Sequence, residues 1–588
     1  MSRRPGWWGR RLVALTGVIA LVGGVPPASA AGGAPSGCPR AVPIAEVSEG
    51  MKGVGYTVSK GTEPEPFDVE VLGVLRNPYM PVRDMIVVEA SSPAIERAGG
   101  IWFGMSGSPV YVGDRLLGAV AFSLSYGASS IAGLTAAEDM IELMNRPRRS
   151  PSATQLFPHK VMLPNAMRAQ IAEATGTSPS RVGGSMVRLR LPLSVSALTE
   201  RGRRDLNDFI KANDLAAVPY AGASVAASER ADAGALEPGS NFAAALSYGD
   251  VTFAAVGTTT FVCDGVAVAF GHPFFWEGRT MLGANTASAI TIVSDPTFGA
   301  FKLARVGGSV GTVDQDRFAG IRAVLNGAPR TLPVTSTVTS RESGKTVRGR
   351  TDVVFGQEAI YVALEHLYVS ILATQDQFGK GSATTSWTIR GTKRSGGTWK
   401  LSRSNMYTSR YGIAYEAVAE LGAQMQRIQN NGFEPVAFTG LHADISVQEG
   451  IVQYAIAGVQ ASVEGGPFLN VTRLRVRPGA RIALRVRLEP LRGTADKVVE
   501  LSLRAPRKMR GPGVLEIEGG SSCLYRCRHE GVSSFAEWLR AEANQDHHND
   551  LLAELYAGPR RSQVVAEAKK TLDRVITKHK EIEVLIPR

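Results

Sequence analysis

Residues 99 to 111, GGIWFGMSGSPVY, put a serine between Gly104 and Gly107 and between two runs of strand type. Glycine tolerates the backbone conformations of a sharp turn, so this segment can present a hydroxyl with the amides of Gly104 and Ser106 aimed at a developing oxyanion. Ser106 is the nucleophile such a turn would carry. A serine hydroxyl needs a base, because at its own pKa it attacks poorly. Of the 8 histidines, His272 stands out in AFGHPF, at the end of the apolar strand GVAVAF, where a turn would present its ring at a rim. A neutral imidazole there could take the Ser106 proton and return it to a leaving amine. An ordinary Gly/Ser turn and a turn histidine bonded to backbone explain the same two motifs, so residue types and spacing alone leave both readings open.

The elements around these residues fall into blocks. After a leader at 1–30, residues 40–148 read as a small closed β domain: FDVEVLGVL, MIVVEA, SPVYV and LLGAVAF are strand-like, and a helix is expected at Ala136 to Asn145. Residues 149–235 read as a helical insertion or spacer, with helices near Met162 to Ala174 and Leu198 to Asn213. Strand texture returns over 236–335 in DVTFAAVGTTTFV, GVAVAFGH and SAITIVS. A mixed β/α region over 336–439 contains a helix at Ile413 to Gln429, stopped by Asn430-Asn431-Gly432. RIALRVRLEPL and VVELSLRAP predict a β-sandwich-like module over 440–520. The tail, 521–588, reads as helical at Phe535 to Ala543, Leu551 to Tyr556 and Ser562 to Lys580. The fold class expected is therefore mainly β with α additions.

At 588 residues with 44% hydrophobic and 20% charged residues, the chain can bury a large core divided among several domains. The formal net charge of +12 includes Arg3, Arg4, Arg10 and Arg11 of the leader. The remaining basic residues are scattered, apart from Arg504, Arg507, Lys508 and Arg510, and lack aromatic interleaving, which argues against a nucleic-acid partner. The four arginines, the apolar run Leu12 to Val25 and Ala28-Ser29-Ala30 have the form of a secretory signal peptide cleaved after Ala30. The run falls short of the ~20 residues that cross a bilayer, and no later segment is long and apolar enough, so a secreted product without a membrane span is expected. Among the cysteines, Cys523 and Cys527 are spaced to pair with each other or, with His529 and either His547 or His548, to hold zinc; Cys38 and Cys263 either pair or stay free. The disulfide reading is preferred, and no metal or cofactor is expected. His366, in ALEHLYVSIL, reads as a satisfied core histidine, and Trp102 and Phe103 as core beside the turn.

GGIWFGMSGSPVYVGDRLLGAVAF, with FDVEVLGVL before it and the helix after it, resembles the serine-bearing half of the stage IV sporulation protein B (SpoIVB) peptidase family, whose members are chymotrypsin-like serine peptidases. GDVTFAAV, AFGHPF and FKLARVGGSVGTVDQDRFAGI are similar to the family's histidine-bearing half. The resemblance implies two chymotrypsin-like β-barrel halves, with Ser106 as nucleophile, His272 as base and Gly104 and Ser106 forming the oxyanion hole. Three departures accompany it. The two halves stand in exchanged order, no PDZ domain is evident, and the family's triad aspartate aligns with Ser91. Chain order does not forbid a triad. Asp84, Glu89 and Asp264 are the candidates to replace the acid, with Asp84 preferred because it opens the strand DMIVVEA near the cleft between the halves.

Two readings follow. One is a secreted serine endopeptidase acting on a protein or peptide substrate. The other is a catalytically weak or inactive peptidase-fold protein serving as a cell-envelope binding module with a protein partner.

Overall fold

In the computed structural model the described residues are 34–587, except 125–128, 148–159, 213–214, 296–298, 355–358, 492–494, 521–528, 530 and 559–562. The leader and the cysteines Cys523 and Cys527 lie outside them.

Two β-barrels form the front of the protein. In the first, Pro109–Val112, Lys52–Thr57, Glu65–Leu75, Met85–Ser91, Ile131–Ala136 and Arg115–Ser123 pair in that order, and Arg115–Ser123 pairs back with Pro109–Val112 to close six strands. Closure satisfies every edge, and inward side chains alternate with outward ones. Its interior holds Val71, Ile86, Val88, Trp102, Met105 and Leu117 among others. The second barrel closes in the same way through Phe253–Cys263, Asn241–Ala245, Gly278–Val293, Phe301–Arg317, Gly320–Leu325 and Val266–Ala269. The chain is mainly β, with two closed six-stranded barrels as expected for chymotrypsin-like halves.

The segment between the barrels contains helices Asn165–Ala174 and Glu200–Ala212, and its strands are divided between its neighbours. Ser185–Arg188 extends the first barrel's sheet beside Arg115–Ser123, whereas Leu191–Val195 extends the second beside Phe253–Cys263. This segment thereby stitches the barrels together. The disulfide Cys38–Cys263 adds a covalent tie between the arm entering the first barrel and the second.

Behind the second barrel, a six-stranded sheet runs Ser247–Gly249, Thr346–Val354, Thr331–Ser340, Val436–Gln448, Gly381–Lys393, Thr398–Ser409. Helices Ala359–Gln375 and Ile413–Gln429 cover it, and its core is continuous with the barrel's through Leu246, Phe253, Val334, Leu367 and Trp387. His366 is buried there, with Nε2 3.0 Å from Ser336 Oγ and Nδ1 2.9 Å from Thr351 Oγ1.

A sandwich of two five-stranded sheets completes the chain, one built on Gln453–Val463 and Arg481–Pro490, the other on Gly511–Gly519 and His579–Ile586. Here the tail differs from expectation. Phe535–Ala543 is helical, but the stretches 551–556 and 562–580 contribute the strands Asp550–Ala557, Val564–Thr571 and Val575–Thr577, and a further strand follows at His579–Ile586. LLAELY has helix-favouring composition, yet it lies between Gly511–Gly519 and Val564–Thr571, and its burial within the sandwich outweighs that weak preference.

Candidate active site

The turn Trp102–Ser108 leaves the first barrel's core and meets the second barrel. Trp102 and Met105 are buried anchors. Within the turn, the Met105 amide donates to Trp102 O (3.2 Å), that of Ser108 to Met105 O (2.8 Å) and that of Gly107 to Val120 O (2.8 Å). Gly104 and Gly107 have φ of +100° and +94°. At Gly107 a Cβ would lie 2.1 Å from Thr258 O, so the turn tolerates only glycine there.

The second barrel supplies the outer clamp. The Thr258 amide donates to Ser106 O (2.8 Å), Thr258 Oγ1 to Gly104 O (2.9 Å) and Thr260 Oγ1 to Gly107 O (2.8 Å). The Gly104 and Ser106 amides belong to the peptide groups of Phe103 O and Met105 O, which accept from the Lys302 and Ser108 amides, and have themselves no acceptor among the described residues. Two free donors beside a serine are what an oxyanion hole requires.

His272 follows the strand Val266–Ala269 through Phe270 and Gly271, both at positive φ. Thr135 Oγ1 of the first barrel donates to Gly271 O (2.6 Å), which wedges this loop against the serine-bearing half. His272 Nε2 lies 2.9 Å from Ser106 Oγ, and Nδ1 lies 2.9 Å from Pro273 O. A carbonyl can only accept, so Nδ1 carries a proton, and in the neutral ring Nε2 then presents its lone pair to the serine hydroxyl. That is the tautomer a general base needs.

The predicted acid is not brought to the ring. Asp84 accepts from Arg76 Nη1 (2.7 Å) and the Asn77 amide (2.8 Å), a charge pairing that holds it at its own turn. Glu89 accepts from Ser130 Oγ (3.2 Å), and Asp264 sits at φ +49° in the hairpin turn after Phe253–Cys263. Ser91 faces Asp68 across the sheet. The carboxylate that does serve the histidine loop is Asp316, which sequence reasoning passed over. It is 0% exposed and accepts from the amides of Phe274 (2.9 Å), Phe275 (2.6 Å) and Trp276 (2.8 Å). Burial pushes its pKa up to about 6, against the pull of those three amides.

Lys302 is a second buried ionisable group at this junction. Its backbone amide donates to Phe103 O (2.8 Å), its methylenes pass beside Gly104, and its Nζ donates to Asn241 Oδ1 (2.8 Å). Burial lowers its pKa to about 7. Ser106 and His272 are 0% and 1% exposed, so the pair lies sealed in the contact between the barrels. A groove of about 210 Å³, lined by Arg83, Asp139, Trp276, Arg317 and Phe318, opens beside the histidine loop.

Cys38, Cys263 and Asp264 are the one cluster of metal-ligand types among the described residues, and both sulfurs are spent in the disulfide. His529 pairs with Glu542 (2.8 Å) and His547 with Asp550 (3.2 Å).

A serine and a histidine meeting across two closed six-stranded barrels define the architecture of chymotrypsin-like serine hydrolases. The family model described as SpoIVB peptidase S55 matches residues 38–140, the barrel that carries Ser106. The match bears out the resemblance read from GMSGSP and supports a serine peptidase, a hydrolase, in general terms. No curated protein and no solved structure matches the chain.

Proposed function

We propose that this protein is a secreted SpoIVB-like serine endopeptidase with Ser106 as nucleophile and His272 as general base. The observation that carries the reading is the 2.9 Å contact between Ser106 Oγ and His272 Nε2, beside two unengaged amides. Ser106 Oγ attacks the scissile carbonyl carbon as its proton passes to Nε2, and the oxyanion is held by the Gly104 and Ser106 amides. Collapse of the tetrahedral intermediate breaks the C–N bond, and the imidazolium returns the proton to the leaving amine. Water, deprotonated by the same nitrogen, then hydrolyses the acyl-enzyme and restores the serine. Secretion is supported by the form of the leader and by the absence, among the described residues, of a helix long and apolar enough to cross a membrane.

The near-complete burial of the pair favours a second reading, a peptidase-fold binding module at the cell envelope. Labelling of the purified mature protein with a fluorophosphonate separates the two. The peptidase reading expects covalent labelling that Ser106→Ala abolishes and His272→Ala reduces by about 10³-fold or more. A folded wild type that never labels leaves the binding module standing.

A further inference from the structure

The peptide group between Pro273 and Phe274 is engaged at both ends. Its carbonyl oxygen accepts from His272 Nδ1 at 2.9 Å, and its N–H donates to Asp316 Oδ1 at 2.9 Å. We propose that Asp316 is the positioning residue that replaces a triad acid, acting on His272 through this one peptide group. The inference rests on the Ser106–His272 reading above.

A carboxylate drawing on an amide N–H shifts electron density toward the carbonyl oxygen of the same group, which then accepts more strongly from its own donor. The ring thus receives part of what a carboxylate on Nδ1 would supply: a fixed tautomer, a fixed orientation and support for the imidazolium formed in the reaction. The remaining bonds of Asp316 fix this geometry. Oδ2 accepts from the next two amides, at 2.6 and 2.8 Å, so three successive N–H groups hold the loop to one side chain. Asp316 lies on the strand Phe301–Arg317, paired with Gly278 on one side and Ile321 on the other, a rigid support for a loop that must aim an imidazole. Shielded from solvent, its charge acts on the peptide group through a medium of low dielectric. An acid that works through a backbone group has no need of the position occupied by Ser91.

The test uses the mature protein and two readouts. Asp316→Asn keeps the shape and removes the charge. It should slow fluorophosphonate labelling by roughly 10²-fold, the lower end of what positioned acid–base groups contribute. It should also move the downfield proton resonance of His272 Nδ1–H, assigned by its absence in His272→Ala, upfield. An unchanged resonance overturns the proposal, whether labelling persists or falls, since a fall alone would mean only a loosened loop. Should Asp316→Asn fail to fold, Asp316→Glu keeps the charge but displaces it from the Phe274 N–H; the same resonance should move, and its absence is equally fatal. The resonance needs no turnover, so a wild type that fails to label leaves this measurement decisive in its own right.

Discussion

The two residues of the proposed reacting centre and the two buried ionisable residues behind them differ in how they could be read. Ser106 announces itself through flanking glycines, because a turn at φ near +100° leaves that mark in the chain. His272 was singled out by its place after an apolar strand and tied to Ser106 by family resemblance. Asp316 left no such mark: its partners are backbone amides some forty positions upstream, and nothing in VDQDR says which carboxylate is drawn inside. Lys302 was equally silent, and its burial has a measurable consequence. Its folded pKa of about 7 lies below the ordinary 10.5, so between these values the unfolded chain holds a proton that the folded chain has released. Stability from this group is therefore lowest at and below pH 7 and rises with pH above it, by at most about 1.4 kcal/mol per unit. Urea midpoints at pH 7, 8 and 9 should increase for the wild type, and Lys302→Met should flatten that trend. An equal slope in both proteins would place the proton uptake elsewhere.

At the scale of elements, the strand Phe253–Cys263 matters most to the turn that carries Ser106, because its threonines hold the Gly104, Ser106 and Gly107 carbonyls and so fix that backbone, while the Gly104 N–H is aimed through its own peptide group by the bond from the Lys302 amide to Phe103 O. Thr258→Val preserves shape but deletes the bond from Oγ1 to Gly104 O, leaving a buried carbonyl unpaired, at about 1 to 3 kcal/mol. The variant should unfold at moderately lower urea and, with Gly104 freed on its carbonyl side, label more slowly, by at most about 10²-fold, the scale of losing one oxyanion donor outright. A lower urea midpoint without any change in labelling would mean that the bond to Gly104 O takes no part in placing the turn. This strand was legible in DVTFAAVGTTTFV, and the helix Ile413–Gln429 was found at both ends, because long periodic segments with clear stops carry their own boundaries. The strands of the tail are not legible in the sequence, and the reason is specific. His579–Ile586 buries Ile582, Val584 and Ile586 in strict alternation, a period of two that the helix-favouring lysines and glutamates around it obscured.

For the whole molecule the central point is that the proposed chemistry and access to it conflict. The serine and the histidine are supplied by different barrels, so the barrels must stay in register for the 2.9 Å contact, yet that register leaves the pair almost without exposure. On the peptidase reading, a substrate reaches Ser106 only if the junction yields at its rim while its centre holds. The ties across the junction are of two kinds. Hydrogen bonds from Thr135, Thr258 and Thr260 lie at the site itself, whereas the disulfide Cys38–Cys263 joins the entering arm to the hairpin after Phe253–Cys263. The bridge closes a sequence separation of 225, for which the chain-entropy model gives a stabilisation of up to about 5 kcal/mol. Replacing both cysteines by serine should therefore lower the urea midpoint substantially. In dilute urea, where both forms remain folded, the variant should label faster than the wild type, because a looser rim admits the probe while the threonine clamp still aims the serine. Slower labelling under those conditions would mean that the disulfide helps align the barrels, and that the substrate enters by displacing something other than the junction.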